Sequence, residues 1–276
     1  MAYRYSLAFL TVAELSPPQA VRVAAEAGFD LVGLRLLPAG TDGPYPLLTD
    51  RALLDETRQA MRETGVQVGD VEIVKITPAF HPADTLRLLE RGAELGARNI
   101  LTAGYDPDRA RMTESYGRFC ELAHQHGMTA DLEFMPWTDV PDVTAAAELV
   151  RAVAHPAAGV LVDALHVQRS DSPMEAIAAL DPAWIHYAQL CDGPGVYDAS
   201  PEGLIATARG HRLMPGDGDF DCAGLLAALP KDIVLSVEVA QTDRIGKVPA
   251  LHRAREAMEK SRAITGEAAR AAGLPA

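Results

Sequence analysis

Eight short β-rich runs alternate strictly with amphipathic stretches along nearly all of this 276-residue chain. The runs lie near 5–12, 30–36, 66–74, 98–103, 128–134, 159–163, 184–190 and 233–239. The stretches, rich in Ala, Leu, Arg and Glu, lie near 17–27, 50–64, 83–96, 108–126, 141–154, 173–179, 221–228 and 248–264. Runs such as Val160-Leu161-Val162 are apolar throughout, as strands covered on both faces require. A repeated strand-then-helix order makes successive strands parallel and puts the helices outside them. Eight such units predict a closed (β/α)₈ TIM barrel, for which about 250 residues is typical. Glycines after predicted helices (Gly28, Gly65, Gly96, Gly127) and prolines near their starts (Pro17, Pro82, Pro141) agree with this punctuation. The expected organisation is one domain over 1–264 and an Ala/Gly-rich tail over 265–276 that frays or docks on a partner. The longest non-periodic segment, 191–219, reads as a long loop at the barrel mouth and a candidate lid.

Four runs in the second half each end in a group able to bind a cation: Glu133, Asp163, Gln189 and Glu238. Their spacings of 30, 26 and 49 residues are about one strand–helix unit each, the last lengthened by the long segment. The C-terminal ends of barrel strands ring a single mouth, so these four groups are expected to converge. Each carboxylate alone reads as a solvated strand end. Three carboxylates and one amide on consecutive strands point instead to one divalent ion, and the all-oxygen donor set favours Mg²⁺ or Mn²⁺ over structural zinc; Mn²⁺ is the expected ion, with Mg²⁺ or Co²⁺ as alternatives. Strand parity supports the convergence. If the four ligands point inward, Leu132, Val162, Ala188 and Val237 face the helices, and all are apolar. Parity also sends Leu161, Tyr187, Ser236 and Asp131 into the barrel and His186 outside it.

Further candidates surround this set. His166 follows Asp163 by three residues and would lie above the ion, with Arg169 just beyond. Arg212 precedes the turn Pro215-Gly216-Asp217-Gly218 and offers a guanidinium to a substrate oxygen or carboxylate. Arg35 and Glu72 end the second and third strands with inward parity, as polar anchors, and Trp137 would wall the pocket against a sugar face. A net charge of −13 opposes nucleic acid as a partner. No apolar run approaches membrane-spanning length. Three cysteines without ligand spacing and a start lacking signal-peptide features predict a cytoplasmic protein with reduced thiols. No P-loop, GxGxxG or Gly-x-Ser-x-Gly motif is present.

At these residues the chain resembles the xylose-isomerase-like barrel superfamily, in its sugar phosphate isomerase/epimerase branch. The resemblance spans roughly 5–262. It rests on Leu132-Glu133-Phe134-Met135-Pro136-Trp137, Leu161-Val162-Asp163-Ala164-Leu165-His166, Gln189-Leu190-Cys191-Asp192, Arg212 with Pro215-Gly216-Asp217-Gly218, and Ser236-Val237-Glu238-Val239. It implies a metal-dependent enzyme in which Glu133 and Glu238 double as metal ligands and as the acid/base pair. The expected reaction is isomerisation or epimerisation of a small polyol, keto-sugar or keto-acid through a metal-stabilised ene-diolate. Gln189 stands where many ketose 3-epimerases carry His and is reminiscent of inosose dehydratase. A dehydratase or lyase acting on a keto-sugar, keto-inositol or dehydroshikimate-like substrate is therefore the alternative, and a non-catalytic sugar-binding barrel is less favoured. A homo-oligomer is compatible with all of these.

Overall fold

The eight runs form strands β1 (Arg4–Leu7), β2 (Leu31–Arg35), β3 (Gln67–Ile76), β4 (Asn99–Gly104), β5 (Thr129–Glu133), β6 (Ala158–Asp163), β7 (Tyr187–Leu190) and β8 (Val234–Val237). A computed structural model describes residues 3–40, 43 and 45–271. The strands are parallel and close in chain order, β8 pairing back onto β1 from Arg4↔Val234 to Leu7↔Val237. Around them lie α1 (Pro17–Ala27), α2 (Arg51–Thr64), α3 (Leu86–Leu95), α4 (Arg109–Gln125), α5 (Val143–Val153), α6 (Ala164–Arg169), α7 (Met174–Ala178), α8 (Pro201–Gly210), α9 (Cys222–Ala228) and α10 (Ala250–Ala271). The expected TIM barrel is the observed fold.

Local chemistry sets the boundaries. Asp50, Asp108 and Asp142 accept hydrogen bonds from the first-turn amides of α2, α4 and α5 and so satisfy donors that a helix start leaves unpaired. Gly28 and Gly96 end α1 and α3 at φ 85° and 71°, a backbone region costly for residues with a Cβ. Strand parity divides the apolar residues into two clusters. Leu132, Val162, Ala188 and Val237 pack in the larger one, between barrel and helices. Leu161 and Tyr187 join Ile73, Leu101, Ala103 and Met135 in a smaller one inside the barrel.

Four departures from the sequence reading have physical causes. The first strand ends at Leu7 instead of reaching residue 12, because residues Phe9–Val12 turn into a 3₁₀ helix. Thr11 Oγ1 secures that turn, donating to the Val237 carbonyl at 2.8 Å and accepting from the Val239 amide at 2.8 Å. The segment 191–219 is not one long loop, since it contains α8. Ser200 caps α8 through the Gly203 amide at 3.1 Å, and Pro201 occupies its first position. The last helix continues past 264, and buried Thr265 bonds Tyr5 Oη at 2.6 Å; residues 272–276 of the expected tail lie outside the described residues.

The fourth is His186, expected outside the barrel. It precedes the first residue of β7, so strand parity does not govern it. Its Nδ1 lies 2.5 Å from Asp131 Oδ1 at the N-terminal end of the barrel. Asp131 Oδ2 accepts from Thr129 Oγ1 at 2.7 Å and Asn99 Nδ2 at 3.2 Å, which supplies the partners a buried carboxylate needs. Burial alone would lower the His186 pKa, but the Asp131 hydrogen bond and charge outweigh it and raise it. Gly159 provides the space: a Cβ there would sit 2.4 Å from Asp131 Oδ1 and 2.5 Å from His186 Nδ1. Gly159→Ala is therefore expected to cost about 1–3 kcal/mol through overpacking and displacement of this pair. Chemical denaturation measures it, and an unchanged midpoint would mean that the pair moves aside freely.

Candidate metal centre and active site

The C-terminal ends of the strands floor a cavity of about 360 Å³ at the barrel mouth. Register places the chemistry there. Asp163 pairs with Gln189 across β6 and β7, Gln189 pairs with Ser236 on β8, and the Glu238 amide continues the ladder by donating to the Leu190 carbonyl at 3.0 Å. Glu133 ends β5 beside Ala103 and Leu161. Asp163 is both the last residue of β6 and the N-cap of α6, where its Oδ1 accepts from the Leu165 amide at 2.6 Å. This immediate strand-to-helix turn lifts His166 over Asp163. His166 Nε2 lies 3.6 Å from Glu133 Oε1, and the ring meets Trp137 edge-on at 5.2 Å.

One ligand atom each from Glu133, Asp163 and His166 lie within 4.8 Å of one another, a spacing that suits a divalent cation. Gln189 adds a further donor. Its Nε2 donates to Glu238 Oε1 at 3.1 Å, whereas its Oε1 is buried without a hydrogen-bond partner. A buried amide oxygen with no donor is costly, and a hard cation would satisfy it. Glu238 is held by Arg212, whose Nη2 lies 2.7 Å from Glu238 Oε2 while Nη1 donates to Asp163 Oδ2 at 2.7 Å. Each carboxylate oxygen has two acceptor sites, so these bonds leave both residues able to ligate. Glu133, Asp163 and His166 form the cluster whose spacing suits a divalent ion; Glu238, expected as a ligand, lies outside that cluster and reaches it through Arg212 and Gln189.

Electrostatics within the set are uneven. Burial pushes Glu133 well above the usual carboxylate range, and Asp163 and Glu238 push it further. Burial raises Glu238 to about 8 even though Arg212 opposes the shift. Asp163 goes the other way. Burial would raise it, but Arg212, His166 and the Leu165 amide together hold it below its ordinary value. His166 is pushed down to about 4 by burial and by Arg212, against the attraction of Asp163, so its imidazole is neutral near pH 7. A neutral ring is the form that ligates metal or shares a hydrogen bond with a substrate oxygen.

The remaining candidates separate into two groups. Arg35, Glu72 and Trp137 line the cavity together with Arg212, His166 and both glutamates. Arg35 and Glu72 are register neighbours and form a buried ion pair at 3.3 Å, with Glu72 Oε1 left without a hydrogen-bond partner. Arg212 is fully engaged by protein atoms, since its Nε donates to the Ala208 carbonyl at 2.9 Å as well. Arg169 does not reach the cavity. It lies 3.7 Å above the Tyr197 ring and donates to the Pro194 carbonyl at 2.7 Å, clamping the segment that follows β7. Asp192 anchors the same segment through the Gly193, Gly216 and Phe220 amides at 2.8, 2.9 and 3.0 Å.

Lys75, Tyr105 and Arg209 also line the mouth and were not anticipated. Lys75 comes from the end of β3, which runs two residues beyond its expected limit. Tyr105 directly follows β4, and Arg209 sits on the unforeseen α8.

With fold and site in place, the family is clear. Residues 21–264 match the xylose isomerase-like TIM barrel family, and the chain belongs to it. No curated protein matches in sequence. Among solved structures, the zinc-bound IolI protein superposes with a TM-score of 0.78 at 17% identity, over 96% of this chain and 98% of its own. The probable 3-DHS dehydratase AsbF of Bacillus anthracis gives 0.73 at 17% identity, over 93% and 97%. D-allulose 3-epimerase of Methylomonas sp., in complex with D-allulose, gives 0.69 at 15%, over 94% and 96%. The chain also spans 45% of a fusion of a xylose isomerase-like barrel with a 4-hydroxyphenylpyruvate dioxygenase, with a TM-score of 0.83 and 20% identity. At these identities the structural likeness establishes the fold.

Proposed function

We propose that the protein is a divalent-metal-dependent isomerase or epimerase that moves a proton next to a carbonyl on a small polyhydroxylated substrate. The observation that carries this reading is the meeting of two buried glutamates, Glu133 and Glu238, with Asp163, His166 and the unpartnered Gln189 oxygen at one end of the barrel. Glu133, Asp163, Gln189 and Glu238, joined by His166, would hold the ion; the oxygen donors suit Mn²⁺ or Mg²⁺, and of the two Mn²⁺ better accepts the added imidazole nitrogen. The bound ion would supply Lewis-acid stabilisation of charge on the substrate oxygens. Glu133 and Glu238 stand on β5 and just beyond β8, three strands apart, and a substrate between them presents one face to each. One takes the α-proton and the other returns it. Trp137, packed on His166, excludes water from one side.

The lyase reading keeps the same site and differs only in the fate of the intermediate. Gln189 favours it by resemblance, and a probable dehydratase is among the solved structures this chain is similar to. Both readings begin with removal of an α-proton, so solvent deuterium tests them together. Metal-free protein reloaded with Mn²⁺, Mg²⁺ or Co²⁺ is expected to incorporate deuterium into a ketose, inosose or keto-acid, and chelator is expected to abolish this. Full exchange in exhaustively metal-depleted protein, or none from any candidate in loaded protein, would defeat the proposal.

A further inference from the structure

The cavity's charge balance carries an inference about the substrate itself. Glu72, Glu133 and Glu238 line the mouth, with Asp163 buried among them. Among the described residues, Arg35, Lys75, Arg209 and Arg212 match them in number. A divalent ion among these ionised carboxylates would leave the cavity with surplus positive charge, in a protein whose net charge is −13. Three of the cations have assigned partners. Arg35 pairs with Glu72. Arg212 pairs with Asp163 and Glu238. Lys75 donates to the Ala39 carbonyl and lies 5.1 Å from the centre of the Tyr105 ring. Arg209 is different: among the described residues its exposed guanidinium has no ion pair or hydrogen bond, and it acts electrostatically on the same Tyr105.

Lys75, Tyr105 and Arg209 line one cavity. Glu133 and Trp137 line the same cavity, so these rim cations adjoin the reactive floor. We propose that Arg209 and Lys75, which line the mouth together with Tyr105, form a subsite for an anionic group, a carboxylate or a phosphate, on the substrate. The inference rests on the proton-transfer reading for the remainder of the substrate and narrows that reading, which spans neutral sugars and keto-acids, to polyhydroxylated acids or phosphate esters. An arginine fork offers parallel N–H donors to such a group, and a lysine adds a point charge. The anion would offset the surplus charge of the loaded site and orient the carbonyl end toward Glu133 and Glu238.

Calorimetry on both metal-loaded and metal-free protein tests this with gluconate, quinate, fructose 6-phosphate and neutral fructose. At least one anion is expected to bind the wild type at least about tenfold tighter than fructose, less so as salt rises. Arg209→Gln and Lys75→Met are each expected to weaken that anion about ten- to a hundredfold, beyond any change for fructose, as loss of a charge-assisted hydrogen bond does. Whether acid or ester gains most identifies the anionic group. An anion no tighter than fructose, or an anion affinity untouched by Arg209→Gln, overturns the subsite. Deuterium incorporation separates this from the parent reading. Exchange into fructose without anion preference would remove the subsite alone, whereas Arg209-dependent anion binding without exchange into any compound would remove the proton-transfer reading alone.

Discussion

Glu133→Gln and Glu238→Gln are each expected to lower turnover by about 10²–10⁴-fold, the range for loss of a general acid or base. Glutamine keeps an oxygen that can ligate but cannot accept and return a proton. Burial makes the comparison sharp, because Glu133 is 4% and Glu238 3% exposed and neither can be replaced readily by bulk water. The two substitutions should differ in their side effects. Glu238 is bonded to Arg212 and Gln189, so its replacement disturbs a network. Glu133 is 3.6 Å from His166 and, among the described residues, forms no ion pair with an arginine, though Arg212 acts on it from a distance, so its replacement removes mainly a buried carboxylate that burial pushes toward protonation. Metal content measured before kinetics distinguishes lost ligation from lost proton transfer. A variant that keeps its ion and turns over near the wild-type rate would make that glutamate a ligand only.

Much of this site was legible in the sequence because a barrel converts sequence spacing into spatial convergence. Parity of two in a strand was enough to point Glu133, Asp163 and Gln189 inward and to put Leu132, Val162 and Ala188 under the helices. Parity fails where a residue is not in a strand. His186 precedes β7 and turns its ring to Asp131 through the gap at Gly159, a contact set by three segments distant in sequence. His166 was placed above the site, but its entry into the ligand cluster depends on α6 starting directly at Asp163. Arg209 was invisible because α8 carries Gly203 and Gly210, which weaken helical propensity, while its Ser200-Pro201 start was the signal that could have revealed it. Arg169 has the right spacing for the mouth yet faces Tyr197, since an arginine's direction follows the loop that packs on it.

Removing Arg212 should have the largest effect on the fold. Its guanidinium is 2% exposed and lies 2.7 Å from both Asp163 and Glu238. Arg212→Met retains volume but strands two carboxylates in a dry site, a change that costs about 3–5 kcal/mol. For a chain of this size that corresponds to a melting temperature lower by roughly ten degrees in metal-free protein. The deficit should grow with pH. Without Arg212 the folded-state pKa values of Asp163 and Glu238 rise above those of the unfolded chain. The folded state then binds more protons than the unfolded state, and stability falls as pH climbs between those values. Glu238, at about 8 from an ordinary 4.5 even with Arg212 present, sets a window from about pH 4.5 to beyond pH 8. A divalent ion would restore positive charge between the same two carboxylates, so Mn²⁺ should recover part of the lost stability, and more at pH 8 than at pH 5. Melting curves for wild type and Arg212→Met at both pH values, with chelator and with Mn²⁺, measure all of this. A pH-independent deficit that Mn²⁺ leaves untouched would mean that Arg212 serves through packing alone, and that Asp163 and Glu238 do not share a cation.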